Sequence, residues 1–214
     1  MHDIFADRRD AGRQLGVAVA SLVGTDPAVV LALPRGGVSV GAEVAAVLGC
    51  PLDVLVVRKV GVPGHRELAM GALAGGTVVR NLDVSASERV DEATFDRVVA
   101  QERAVAQARE QSYRGIREAV SLAGRTAIVV DDGLATGATA RAALTALRAR
   151  DDDRPARVVL AVPVAPPDTL DLLANLCDDV VCLRSPRDFY AVGAWYADFT
   201  QVDDAEVERL LQRP

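Results

Sequence analysis

Short, uninterrupted apolar runs that alternate with helix-like segments constrain the fold of this 214-residue chain most strongly. Residues 28–33 read AVVLAL and are followed at once by Pro-Arg-Gly-Gly. Six apolar residues bounded by Pro and Gly are typical of a strand that is buried on both faces. Residues 37–48 then place Val40, Val44 and Val47 on one helical stripe. Because this cycle recurs along the chain, the sequence predicts an α/β fold with a parallel sheet covered by helices on both sides.

The other elements follow the same pattern. The predicted strands are residues 28–33, 53–57, 127–130, 157–162 and 180–183. The predicted helices are residues 7–22, 37–48, 87–113, 138–148, 168–176 and 203–211. Between them the sequence predicts a polar loop at residues 58–67 and a hairpin of residues 68–74 and 77–80. Parallel sheets bind ligands at the carboxyl ends of their strands, so we expect the loops that follow these strands to share one site.

Composition argues against several classes of protein. A formal net charge of −6 disfavours a general affinity for nucleic acid, which needs a basic surface. Uncharged stretches reach at most twelve residues, at 68–79, and the first ten residues carry neither an apolar signal core nor a lipidation motif. The three cysteines, Cys50, Cys177 and Cys182, lack the spacing of a metal or disulfide site. We therefore expect a soluble cytoplasmic protein with reduced cysteines.

The most specific motif follows the predicted strand 127–130, where residues 129–139 read VVDDGLATGAT. A Gly-rich turn before a helix exposes successive backbone N–H groups, which suit a phosphate. Asp131 and Asp132 would repel a phosphate but can accept hydrogen bonds from sugar hydroxyls or hold a hydrated Mg²⁺. A phosphate beside a diol describes a ribose 5-phosphate. The simpler alternative is that the two acids merely end a strand and Thr136 caps a helix.

This motif resembles the phosphoribosyl-pyrophosphate (PRPP) signature of the type I phosphoribosyltransferases. Residues 33–38, LPRGGV, look like the pyrophosphate loop of that family, and residues 58–63, RKVGVP, are similar to the start of its flexible catalytic loop. The resemblance covers roughly residues 28–199, with the loops in the family's order. Within the family, the chain looks closest to a group of uncharacterised bacterial phosphoribosyltransferases.

The resemblance implies a fold and an organisation. We expect a single domain over residues 1–214, with a parallel sheet flanked by helices and a small hood formed by the two termini. The core is expected at about residues 25–183, a flexible loop at about 59–69 and the C-terminal part of the hood at about 184–214. The family also suggests a homodimer. The implied reaction is a Mg²⁺-dependent transfer of phosphoribosyl from PRPP to a nitrogen nucleophile, usually a nucleobase, with release of pyrophosphate.

Roles for individual residues follow from the same resemblance. The residues assigned to PRPP are Arg35, Gly36, Gly37, Arg58, Lys59, Asp131, Asp132, Gly133, Ala135, Thr136, Gly137, Ala138 and Thr139. Among these we expect Lys59, Asp131 and Asp132 to be catalytic, and the two aspartates to bind Mg²⁺ directly or through water. Arg35, Arg58 and Lys59 would take up the charge of the leaving pyrophosphate. For Arg58 the alternative is a simple ion pair with a nearby acid.

The acceptor is less well specified. Residues 185–198 are similar to the base-binding loop of hypoxanthine-guanine enzymes, and in that register Tyr190 stacks on the nucleobase. One extra residue precedes Asp198, so the role of that acid stays open, as does that of His65. The alternative for the aromatic residues is that Phe189, Tyr190, Trp195 and Tyr196 form the core of a C-terminal cap. Ala135 instead matches adenine enzymes, so the sequence assigns no base.

Two further functions stay open at the level of sequence. A PRPP-binding regulator would keep the fold and the phosphate loop without catalysis. Such a protein usually needs a nucleic-acid surface, and the acidic balance of this chain disfavours one. A PRPP synthase-like protein would need an ATP-binding loop, which the sequence does not contain. The sequence therefore favours an enzyme.

Overall fold

The computed structural model describes residues 4–115 and 118–212, apart from the side chains of residues 66 and 67. The strands are β1 (Ala28–Ala32), β2 (Leu52–Val54), β3 (Val57–Val62), β4 (His65–Ala74), β5 (Thr77–Arg80), β6 (Thr126–Val130), β7 (Arg157–Val164) and β8 (Asp179–Arg184). The helices are α1 (Arg8–Val23), α2 (Gly36–Leu48), α3 (Leu82–Ser87), α4 (Glu92–Arg114), α5 (Ala138–Arg148), α6 (Pro167–Ala174) and α7 (Asp204–Leu211). A short 3₁₀ helix, Val192–Trp195, precedes α7.

Five of the strands form one all-parallel sheet in the order β2-β1-β6-β7-β8. Every residue of β1 and of β6 is buried, as the apolar runs predict for central strands of a parallel sheet. Ala32 pairs with both Val54 and Val130, so the carboxyl ends of β2, β1 and β6 lie level with one another. The predicted α/β fold is confirmed, and the loops after these strands open at one edge of the sheet.

Helices cover both faces of this sheet. Leu15 of α1 and Val44 of α2 pack with Val130 on one face. Leu144 of α5 and Leu173 of α6 belong to the core cluster on the other face. Successive residues of a strand point to opposite faces, so each central strand contributes to both clusters. The two clusters hold the helix starts in fixed positions at the carboxyl edge.

The polar loop predicted at residues 58–67 is wrong, because this segment forms strands. β3 and β4 pair as antiparallel strands joined by a turn at Pro63 and Gly64, and β5 completes a three-stranded sheet. We call β3, β4 and β5 together the arm. Val60 and Val62 are buried against Phe95 of α4, and this packing supplies the apolar face that a strand needs. The charged residues and glycines on either side of these valines hid the alternation in the sequence.

The long helix predicted at residues 87–113 is confirmed as α4, but it begins only at Glu92, and a separate short helix, α3, ends at Ser87. Asn81 caps α3, and Asp91 caps α4 by accepting a hydrogen bond from the backbone N–H of Thr94 at 2.8 Å. Asn and Asp side chains that accept such bonds favour helix starts over helix interiors, so a new helix begins directly after Asp91. α4 has 23 residues and carries many charges. Neither α4 nor any other helix in the described part of the chain is long and apolar enough to cross a bilayer.

A buried carboxylate ties α4 to the edge of the main sheet. Asp53 in β2 is 4% exposed and accepts a hydrogen bond from Arg114 Nε at 2.7 Å. It also accepts hydrogen bonds from the backbone N–H groups of Val54 and Val120, at 2.7 and 2.9 Å. Because α4 packs on the arm, this network fixes the position of the arm relative to the main sheet.

We expect Asp53→Ala to lower the free energy of unfolding by about 3 kcal/mol, because it leaves the Arg114 guanidinium half-buried without its closest partner. Urea denaturation measures the change. Glu92→Ala is the control, since Glu92 is 73% exposed and pairs with Arg80 at the surface; it should cost less than about 1 kcal/mol. Equal losses for the two variants would contradict the structural role of Asp53.

Candidate active site

The starts of α2 and α5 differ from the starts of the other described helices. Four helices have a side chain that caps their first backbone N–H groups; these caps are Asp7, Asn81, Asp91 and Asp203. α6 has no such cap but carries Asp168 in its first turn. α2 and α5 have neither a side-chain cap nor an acid in the first turn. Their N–H groups and helix dipoles are therefore available to anions from outside the protein.

The start of α5 contains the predicted phosphate loop. Ala135, Thr136, Ala138 and Thr139 are all exposed. Gly137 has the left-handed φ of +67°, and a Cβ there would lie 2.7 Å from Thr169 Cγ2 of α6. The Thr169 hydroxyl also donates a hydrogen bond to the carbonyl of Ala135 at 2.7 Å. The loop therefore packs on α6, and its outer surface is exposed to solvent.

The start of α2 contains the predicted pyrophosphate loop and lies against the end of β6. Arg35 directly precedes the helix, and the peptide bond between Pro34 and Arg35 is cis. A Cβ on Gly37 would lie 2.7 Å from the carbonyl oxygen of Val130. One on Gly36 would lie 1.9 Å from Asp132 Oδ2. The close approach of β6 thus requires Gly37, and the position of the Asp132 carboxylate favours Gly36.

Asp131 and Asp132 lie against the start of α2, on the loop that leads from β6 to α5. Asp131 Oδ1 accepts a hydrogen bond from the backbone N–H of Asp132 at 2.9 Å. Asp132 Oδ2 accepts one from Arg8 Nε at 2.8 Å. Burial and the neighbouring Asp132 charge raise the pKa of Asp131 well above its usual range. Burial also raises the pKa of Asp132, and the hydrogen bond from Arg8 offsets only part of that effect.

The sequence did not point to Arg8 as a functional residue. It lies 124 positions from Asp132 and is one of many arginines. Its contact with Asp132 joins the first helix to the loop after β6, so no motif of neighbouring residues marks it. A comparison of which positions vary together could have supplied the missing signal.

Arg58 and Lys59 lie on β3 of the arm and line a cavity next to α4. Arg58 donates from Nε and Nη2 to Glu102 Oε2 of α4, at 2.8 and 2.7 Å, so it forms the ion pair that the alternative interpretation allowed. A cavity of about 500 Å³ lies between part of the arm and α4, and its lining residues are Val57, Arg58, Lys59, Gly61, Val62, Pro63, Gly64, Arg97, Val98, Gln101 and Glu102. The lining contains no residue of the α2 or α5 starts. The role of Arg58 and Lys59 in binding PRPP therefore stays a prediction.

The aromatic residues of the C-terminal segment divide into core and surface. Trp195 and Tyr196 are buried with Phe5, and Phe189 packs on that cluster, so for these residues the cap-core alternative is confirmed. Tyr190 is instead 95% exposed. Its side chain is available to a ligand, while that of Tyr196 is not.

Asp198 and His65, whose roles the sequence leaves open, each contact a nearby side chain. Asp198 accepts hydrogen bonds from the backbone N–H and the hydroxyl of Thr200, at 2.9 and 2.6 Å. These bonds lower the pKa of Asp198. His65 Nδ1 lies 3.4 Å from Glu88 Oε2 at the exposed end of the arm. Neither contact gives these residues a part in the site.

The carboxylate pair fits a Mg²⁺ ion that is shared with a substrate. Within residues 4–115 and 118–212 there is no group of three or more His, Cys, Asp or Glu residues that could hold a metal. Mg²⁺ is commonly held by one or two carboxylates together with waters and substrate phosphates. Asp131 and Asp132, beside two helix starts suited to phosphate, match that donor set. These two residues would hold the ion.

We expect Asp131→Asn to stabilise the metal-free protein. A carboxyl whose pKa is raised by folding contributes stability below its usual pKa and loses it as the pH rises through the raised value. Thermal melting at pH 7.5 should therefore show a melting temperature higher by roughly 2–4 °C, or about 1 kcal/mol. The difference should close below about pH 4, where the carboxyl is protonated in both states.

Asp151→Asn is the control for this prediction, because Asp151 is exposed and its replacement should leave the melting temperature nearly unchanged. A lower melting temperature for Asp131→Asn at pH 7.5, or a gain that does not depend on pH, would show that the environment of Asp131 does not oppose its charge.

Comparisons with known proteins agree with this geometry. A model of the phosphoribosyl transferase domain matches residues 17–197. Two curated Mycobacterium tuberculosis proteins, "Putative phosphoribosyl transferase MT0597" and "Putative phosphoribosyl transferase Rv0571c", are each 49% identical over 211 residues. The match covers 98% of this chain and 47% of each relative, so the chain spans about half their length.

A solved structure is also similar over nearly its whole length. The crystal structure of TT1426 from Thermus thermophilus superposes with a TM-score of 0.85 at 45% sequence identity. The match covers 97% of both chains. Together with the parallel sheet and its loop motifs, these matches show that the chain belongs to the type I phosphoribosyltransferase family.

Proposed function

We propose that this protein transfers the phosphoribosyl group of PRPP to a nitrogen nucleophile, of the nucleobase class, and releases pyrophosphate. One observation carries the proposal: a pair of carboxylates lies against the start of α2 and on the loop that leads to α5, and these are the two described helices that have neither a side-chain cap nor an acid in the first turn. PRPP has the matching order of groups, with a phosphate at one end, a diol in the middle and a pyrophosphate at the other end.

Each group of PRPP finds a partner in this arrangement. The 5-phosphate binds at the start of α5, where Thr136 and Thr139 add hydroxyl donors to the backbone N–H groups. The pyrophosphate binds at the start of α2, where Arg35 adds a positive charge. The ribose hydroxyls then meet Asp131 and Asp132. The bound substrate spans the carboxyl edge of β1 and β6.

The chemistry needs positioning and charge more than a covalent intermediate. The bond from ribose C1 to the pyrophosphate oxygen breaks, and a bond from C1 to the acceptor nitrogen forms. The pyrophosphate leaves with the bonding electrons, and the acceptor nitrogen gives its proton to solvent. Arg35 and the α2 amide groups stabilise the leaving charge, while the carboxylates stabilise the positive character of the ribose. Mg²⁺, when bound, supplies further charge neutralisation at the pyrophosphate.

Arg58 and Lys59 act in this proposal from the base of the arm. The backbone N–H of Leu55 donates to the carbonyl of Ala32 at 3.0 Å, so the chain between β2 and β3 lies beside the end of β1. The leaving pyrophosphate is assigned to that end of β1. A compact ammonium on the flexible stem of Lys59 can reach a phosphate oxygen there as a point charge.

Tyr190 is the proposed platform for the acceptor. It follows β8, whose carboxyl end lies on the same edge of the sheet as the ends of β1 and β6. An exposed aromatic ring beside such a site suits a planar ligand, because stacking buries the facing surfaces of the ring and the ligand. A nucleobase acceptor would place the protein in nucleotide metabolism, in the cytoplasm. The family resemblance adds a homodimer to this proposal.

Incubation with PRPP, MgCl₂ and a panel of nucleobases tests the proposed activity. Pyrophosphate release that depends on one or more of the bases supports it. Binding of PRPP without release for any base would instead favour the regulatory alternative. Absence of PRPP binding would refute both functions.

We expect Thr139→Glu to weaken PRPP binding at least tenfold while leaving the fold intact. A carboxylate in the first turn of α5 repels the 5-phosphate, yet it stabilises the helix by about 0.3–1 kcal/mol through the helix dipole. Calorimetric titration with PRPP and thermal melting measure the two effects. Ala104→Glu adds the same charge to the exposed surface of α4 and should leave the affinity unchanged. Equal affinities for the two variants would place the phosphate elsewhere.

A further inference from the structure

Arg8, the first residue of α1, makes three contacts around Asp132. Its Nε donates to Asp132 Oδ2 at 2.8 Å, and its Nη1 donates to the carbonyl of Thr200 at 2.7 Å. The guanidinium carbon lies 3.8 Å above the centre of the Phe199 ring. The Arg8 and Asp132 side chains are 11% and 16% exposed. This is an ion pair that is largely shielded from water.

The chain around Arg8 is itself fixed to the C-terminal segment. The backbone N–H of Phe5 donates to the carbonyl of Trp195 at 2.9 Å, and that of Ala197 donates back to Phe5 at 2.8 Å. The hydroxyl of Tyr196 donates to the backbone carbonyl of Asp132. Asp132 is therefore held by two contacts. The N-terminal helix binds its side chain, and the C-terminal segment binds its backbone carbonyl.

Little space remains between the Asp132 carboxylate and the start of α2. A Cβ at Gly36 would lie 1.9 Å from Asp132 Oδ2 and 3.2 Å from Arg8 Nε. The carboxylate, the guanidinium and the start of α2 thus meet at one point. A small displacement of Arg8 would change where the carboxylate lies relative to the helix start.

We propose that Arg8 is a positioning residue, which rests on the function proposed above: it fixes the Asp132 carboxylate in the orientation that receives the ribose hydroxyls of PRPP. Fixing the carboxylate before the ligand arrives lowers the cost of ordering it on binding. An arginine suits this task because its rigid fork reaches Asp132 and Thr200 at once while its flat face rests on Phe199. The N-terminal helix thereby contributes to a site otherwise built from strand ends.

A positioning role differs from a structural one in how substitutions combine. If Arg8 acts through Asp132, removing Arg8 should have little effect once Asp132 has lost its charge. If Arg8 only supports the hood, the effects of the two substitutions on PRPP affinity should multiply. A double-mutant cycle separates these cases.

The experiment is calorimetric titration of PRPP with MgCl₂ into the wild type, Arg8→Gln, Asp132→Asn and the double variant. We expect each single variant to bind PRPP roughly tenfold more weakly, and the double variant to match Asp132→Asn within about twofold. Arg9→Gln is the matched control, because Arg9 is the next residue on the same helix and pairs with Glu43 at 2.9 Å. It should bind PRPP like the wild type.

Wild-type affinity for Arg8→Gln, or multiplied losses in the double variant, would overturn the role of Arg8 and leave the proposed function standing. Absence of PRPP binding by the wild type would overturn the proposed function and this inference with it. Thermal melting verifies the fold of each variant. If Arg8→Gln does not fold, Arg8→Lys takes its place in the cycle, since it keeps the charge but loses the fork; the same pattern of affinities is expected.

Discussion

The close contact between the end of β6 and the first turn of α2 is the constraint on which the rest of the site depends. A side chain on Gly37 would meet the Val130 carbonyl oxygen at 2.7 Å, and one on Gly36 would meet Asp132 Oδ2 at 1.9 Å. This approach brings two aspartates next to a helix start with open N–H groups. The parallel sheet makes it possible, because both faces of β1 and β6 are buried and their ends cannot shift independently.

The site is arranged for a ligand at some expense to stability. Two carboxylates lie next to each other with raised pKa values, and two helix starts lack the caps that the chain uses elsewhere. A missing cap typically costs about 1 kcal/mol. The phosphates of a ligand would accept hydrogen bonds from the N–H groups, and its hydroxyls would donate hydrogen bonds to the carboxylates. Such local costs are typical of sites shaped for binding rather than for stability.

What the sequence could predict was local. The main-sheet strands, the helices that cover them and both glycine-rich loops were all recognisable from runs of neighbouring residues. The predicted hairpin is confirmed as β4 and β5 of the arm. Its first strand, β3, was missed because Val60 and Val62 become a strand face only through Phe95, which lies more than thirty positions later. Arg8 was missed because its partner lies 124 positions away. The exposure of Tyr190 likewise depends on how Trp195 and its neighbours enter the core.

The most direct test of this account is a crystal structure of the protein with PRPP and Mg²⁺. We expect the 5-phosphate at the first turn of α5, the pyrophosphate at the first turn of α2, and the ribose hydroxyls on Asp131 and Asp132. PRPP seated instead in the cavity between the arm and α4, with no group of the ligand at the carboxylates, would contradict it.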